Sequence, residues 1–89
     1  MRSREVVKWF ADQMEEKLQQ NDYKGGWRNS TIEELYARLL DETSELQTEL
    51  NFSEQDMNAI ISECVDVANF AMMIADITKK KMEEIQNER

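Results

Sequence analysis

Histidine and proline are absent from this 89-residue chain, cysteine occurs once and glycine twice. Without histidine, Ser-His-Asp and Cys-His nucleophilic schemes are excluded within one chain, as are di-iron sites built on Glu-x-x-His. A zinc site favours nitrogen and sulfur ligands and would have only Cys64 to draw on. The lone cysteine also rules out an intrachain disulfide framework and fits a reducing compartment, so the chain reads as cytoplasmic. No apolar stretch is long enough to cross a bilayer, and Met1-Arg2-Ser3-Arg4 leads into an amphipathic helix rather than a signal core. A net charge of −8 makes a nucleic-acid polymer or an anionic membrane surface a poor partner.

What is present is helical. Apolar residues recur at the helical period, and β-branched residues do not alternate, so the fold class is all-α. Helix 1 is expected from about Arg4 to Gln20, with Val7, Phe10, Met14 and Leu18 on one face. Trp9 falls off that stripe and is expected to meet a neighbouring helix or a partner. Asn21 to Asn29 (NDYKGGWRN) is the clear loop and holds both glycines. Ser30-Thr31-Ile32-Glu33 has the form of a capping box and opens helix 2, which runs to about Leu50. Ser53-x-x-Asp56 offers a second N-cap. Helix 3 starts there, is apolar on most sides from Met57 to Ile77, and should be central. Residues 79–89 form a charged tail that either continues the helix or frays. One small domain spans residues 1–89, with limited capacity to bury a core alone.

Two acid pairs carry the chemistry. Glu42 and Glu45 lie three apart on helix 2, Glu63 and Asp66 three apart on helix 3, and each pair therefore shares a helix face. An exposed acidic stripe would account for Glu42 and Glu45 alone. It accounts poorly for Glu63 and Asp66, which sit among Ile60, Ile61, Val65, Val67 and Phe70 with no lysine or arginine between Arg38 and Lys79. Buried charges need partners, and a facing set of four carboxylates suits a hard divalent cation, Mg²⁺ or Mn²⁺. From Leu18 to Thr78 there are twelve acids but only three cations, Lys24, Arg28 and Arg38. A polyphosphate would need those cations, and Trp27 could stack on a base, although it could equally plug the core.

Glu42-x-x-Glu45, seventeen residues, then Glu63-x-x-Asp66 resembles the signature of the MazG-type all-α nucleoside triphosphate pyrophosphohydrolases. The resemblance runs from about Phe10 to Ile77. KGGWRN and DVANFAMMIAD are similar to stretches of small phage and bacterial MazG-like proteins. It implies Mg²⁺-dependent cleavage of a (deoxy)nucleoside triphosphate to the monophosphate and pyrophosphate, serving nucleotide-pool house-cleaning or adjustment. Glu42, Glu45, Glu63 and Asp66 match the metal ligands, with Glu42 and Glu45 as the catalytic pair. Asp41 stands where the family often has a longer acid. Lys24, Trp27, Arg28 and Arg38 are candidates for the substrate on grounds of charge and stacking, and Asn69, one turn beyond Asp66, is a candidate for phosphate or ribose.

A single chain with this much apolar surface on helix 3 (Phe70, Met72 and Met73, with Trp9 in addition) is expected to complete a bundle of three to four helices by forming a homodimer or a dimer of dimers. The resemblance points the same way. Two rival readings stay open: a non-catalytic acidic helical adaptor, and a module that senses nucleotides without turning them over.

Overall fold

A computed structural model describes residues 2–88. Three α-helices, α1 (Glu5–Gln20), α2 (Ile32–Asn51) and α3 (Met57–Asn87), and a 3₁₀ turn at Asp22–Lys24 make up the fold, with no strand among the described residues. The expected boundaries hold to within a residue for α1 and α2. The charged tail continues α3 as helix to Asn87, and Arg89 lies outside the described residues.

The caps sit differently from the sequence expectation. The Ser30 amide donates to the Trp27 carbonyl at 3.0 Å, which commits Ser30 to the preceding turn. Thr31 caps α2 instead, its hydroxyl accepting from the Glu34 amide at 3.1 Å. At α3 the cap is Asp56 rather than Ser53; its carboxylate accepts from the Ala59 amide at 3.1 Å. A carboxylate there also meets the positive end of the helix dipole. The glycine loop turns at Gly25, whose φ of 85° lies in the left-handed region that favours glycine.

The linker between α2 and α3 is short, and early residues of α2 face late residues of α3, so the two form an antiparallel hairpin. Met14 and Lys17 of α1 reach Asn69, Ser62 and Asp66, so α1 also runs antiparallel to α3. Both flanking helices pack on α3 and not on each other. The central position expected for α3 is thus borne out. What the three helices form is an open layer, α3 its floor and α1 and α2 its walls.

Little apolar surface is fully covered in one chain. Leu35 and Val65 are the buried apolar side chains among the described residues, joined by the polar Asn69. Phe70, Met72 and Met73 are half-buried, while Val6, Val7, Trp9, Tyr36, Leu40, Met82 and Ile85 remain exposed. Trp9 rests against Phe10, ring centroids 6.0 Å apart, and lines a shallow groove with Ile61 and Val65. No helix of the described residues is long and apolar enough to cross a membrane.

The caps yield a test. Thr31→Ala and Asp56→Ala should each cost about 1 kcal/mol in urea unfolding, with Ser30→Ala and Ser53→Ala costing less. Equal losses for Ser30 and Thr31 would contradict the assignment.

Candidate functional site

The α2–α3 hairpin turns the two acidic stripes toward each other. One carboxylate oxygen from each of Glu42, Glu45 and Glu63 lies within 4.8 Å of the other two. Glu42 and Glu63 are half-buried and Glu45 is exposed. One oxygen of Glu42 (Oε2) and one of Glu63 (Oε2) are shielded from solvent and have no hydrogen-bond donor. None of the three glutamates has a lysine or arginine in salt-bridge range among the described residues.

Burial and crowding together perturb two of these carboxyl groups. The Glu42 carboxyl is raised from the ordinary 4.5 to about 7, first by burial, then by the close approach of Glu45 and the negative charges of Asp66, Glu45 and Glu63. Glu63 is raised too, by burial first and then by the charges of Glu45 and Asp66. Carboxylate oxygens of this kind are the ligand type that a hard divalent ion takes, and these three residues could supply part of its shell.

Asp66 stands apart from this trio. Its Oδ1 pairs with the Lys17 ammonium at 3.3 Å, and Lys17 also donates to the Ser62 hydroxyl at 2.6 Å. This corrects the expectation that neither acid of helix 3 finds a salt-bridge partner: the cation comes from α1, far away in sequence. Its signal was available. Lys17 follows Met14 by three and precedes Leu18, so it flanks the apolar stripe that α1 turns to α3.

An open cleft of about 720 Å³ lies between the walls, within the roughly 300–1,000 Å³ of small-molecule sites. Asp22, Glu34, Glu42 and Asp66 are its acidic lining and Lys17, Lys24 and Arg38 supply positive charge; Trp27, Phe70 and Met73 give it apolar surface. Glu42 is the one carboxylate that belongs to both the glutamate trio and the cleft. The Arg38 guanidinium lies over the Phe70 ring at 5.1 Å, which steadies it.

Three of the candidate residues have surroundings that bear on their expected roles. Arg28 lies outside the cleft, where its Nε sits 4.0 Å from Asp76 beside a separate groove with Ile32 and Lys80. Trp27 lines the cleft, but its indole N–H donates to Asp76 at 3.0 Å, so the ring is held by α3 rather than buried in a core. Asn69 reaches the cleft while 4% exposed, its amide nitrogen donating to the Met14 carbonyl at 3.3 Å. That leaves Oδ1 without a partner. The free Oδ1 suits a sugar hydroxyl and the second amide N–H suits a phosphate oxygen, so both roles expected of this residue stay open.

Asp76 went unnoticed because its partners lie 49 and 48 positions upstream in the glycine loop. Compared with known proteins, the chain matches no family model, no curated protein and no solved structure.

Two outcomes follow from the electrostatics and the loop anchor. The folded state keeps the Glu42 proton to about pH 7, whereas the unfolded chain releases it near 4.5. The stability this proton confers is complete below about pH 4.5 and is lost as pH rises through about 7. The Tm measured in EDTA should therefore fall between about pH 5 and 8, with a change on the order of 1 kcal/mol after solvent screening. Glu42→Gln should flatten that profile. Separately, Asp76→Ala should release the glycine loop, read as faster tryptic cleavage after Lys24 and Arg28 while α3 stays helical by circular dichroism.

Proposed function

We propose that the chain is a metal-dependent nucleoside triphosphate pyrophosphohydrolase of the MazG type. The observation that carries this reading is the glutamate trio, unpaired with any cation among the described residues, which meets through Glu42 a cleft lined by Lys17, Lys24, Arg38 and Trp27. The residue pattern that resembles the MazG signature supports it independently.

In this reading Glu42, Glu45 and Glu63 hold a divalent cation, Mg²⁺ or Mn²⁺, with Asp66 completing the set from the cleft side. When bound, the ion supplies charge neutralisation at the phosphates and a water of lowered pKa. Lys24 and Arg38 balance the rest of the triphosphate charge, and Arg38 does so from a position fixed by Phe70. Trp27 offers a ring face to a base, its orientation set by the bond to Asp76. The Asn69 Oδ1 is the group suited to a sugar hydroxyl. Water adds to the α-phosphorus, the bond to the bridging oxygen breaks, and pyrophosphate leaves; one carboxylate of the Glu42–Glu45 pair takes up the proton released. Arg28 has no direct part in this scheme.

The exposed apolar faces of α1, α2 and α3 support assembly as a homodimer or a dimer of dimers, which would close the open layer into a bundle. The reading places the protein in the cytoplasm, acting on the nucleotide pool.

Pyrophosphate release from a panel of nucleoside triphosphates, with Mg²⁺ and with EDTA, tests the reaction. Metal-dependent release is expected, with Glu63→Gln lowering it by about a hundredfold or more and removing the rise in Tm that Mg²⁺ gives the wild type. No release from a protein that Mg²⁺ stabilises would make it a nucleotide sensor. No release and no metal effect would make it an acidic helical adaptor.

A further inference from the structure

Lys17 occupies an unusual position. It is the cation paired with Asp66, it lines the cleft, and it also borders the groove on the far side beneath Trp9. Its ammonium is held by two groups, the Ser62 hydroxyl at 2.6 Å and Asp66 at 3.3 Å. Both lie on α3, within a turn of Glu63. The three glutamates close together have no cation, whereas the fourth acid of the constellation already carries one.

We propose that Lys17 is an internal counter-ion that occupies Asp66 until a divalent cation takes that carboxylate, and then turns into the cleft to meet a phosphate of the nucleotide. The inference rests on the pyrophosphohydrolase reading and adds a sequence of events to it.

The physical case has three parts. A lysine ammonium is a point charge on a flexible four-carbon stem, so one side chain reaches several acceptors from a fixed Cα. The pair is partly exposed, at 28% for Lys17 and 22% for Asp66, and a partly exposed ion pair is weak enough to be exchanged. A divalent ion held by the three glutamates would sit about one helical turn from Asp66, and its double charge would compete with a single ammonium for that carboxylate. Once displaced, the ammonium faces a cleft whose other cations, Lys24 and Arg38, stand on the far walls. A triphosphate entering there is the strongest acceptor within its reach. Lys17 therefore opposes the metal alone and assists the metal together with its substrate.

That opposition in sign makes the idea testable. In calorimetric titration with Mn²⁺ and no nucleotide, Lys17→Met should bind the ion about threefold to fivefold more tightly than wild type, the range an ion pair of this exposure supports. The gain should vanish in an Asp66→Asn background, where there is no pair to break. The same Lys17→Met variant should raise the KM for its nucleoside triphosphate severalfold. Weaker or unchanged Mn²⁺ binding by Lys17→Met would overturn the proposal, as would an equal gain in the Asp66→Asn background. A measurement on the unaltered protein guards against a misfolded variant. The Lys17 Cε–Hε resonance should shift on addition of Mg²⁺ without nucleotide, and a resonance that stays put while Mg²⁺ binds would equally overturn it. Failure of the underlying reading looks different: the wild type then binds no Mn²⁺ at all.

Discussion

Like charge held at close range is the constraint around which this molecule is built. Glu42 and Glu63 keep oxygens that neither water nor a donor reaches, and Glu45 completes the trio within 4.8 Å. In water such an arrangement would disperse. Here it persists because each glutamate is fixed to a helix, and the two helices pack against each other as a hairpin. Part of the cost appears as the raised carboxyl of Glu42 and Glu63, a local instability that a bound cation would relieve. Stability given up at a cluster of this kind is a frequent mark of function.

The rest of the architecture serves the same hairpin. α1 does not touch α2, yet through α3 it delivers Lys17 to Asp66 and the Met14 carbonyl to Asn69. The glycine loop crosses from α1 to α2 and is pinned at Asp76, which sets Trp27 at the mouth of the cleft. α3 contributes Asp66, Asn69, Phe70 and Met73 to the cleft, whose other sides come from α1, the glycine loop and α2. A helix shared by two walls has few residues left for a dry core. Leu35 and Val65 are buried, and much of the outer surface remains apolar.

Local features were legible because they depend on neighbours in sequence. Helical periodicity located α1, α2 and α3 closely, and the i, i+3 spacing identified the two acid pairs. The caps were found to within a few residues and no better: Ser30 and Thr31 both head a Ser/Thr-x-x-Glu pattern. The backbone bond from Ser30 to Trp27 decides between them, and a pattern carries no information about that bond.

The sequence by itself determined an all-helical chain, the acidic stripes on two helices, the loop at Gly25 and Gly26, and the classes of chemistry that the absence of histidine forbids. Each of these depends on residue type or on the 3.6-residue period, both of which act over a few positions. Tertiary structure alone decided that Glu45 joins Glu42 and Glu63 while Asp66 is drawn to Lys17, and that Trp27 enters the cleft while Arg28 leaves it for Asp76. It also decided that one Asn69 amide N–H goes to the Met14 carbonyl. Those outcomes rest on contacts between residues 18 to 55 positions apart, which exist only once α1 and α2 have been laid along α3.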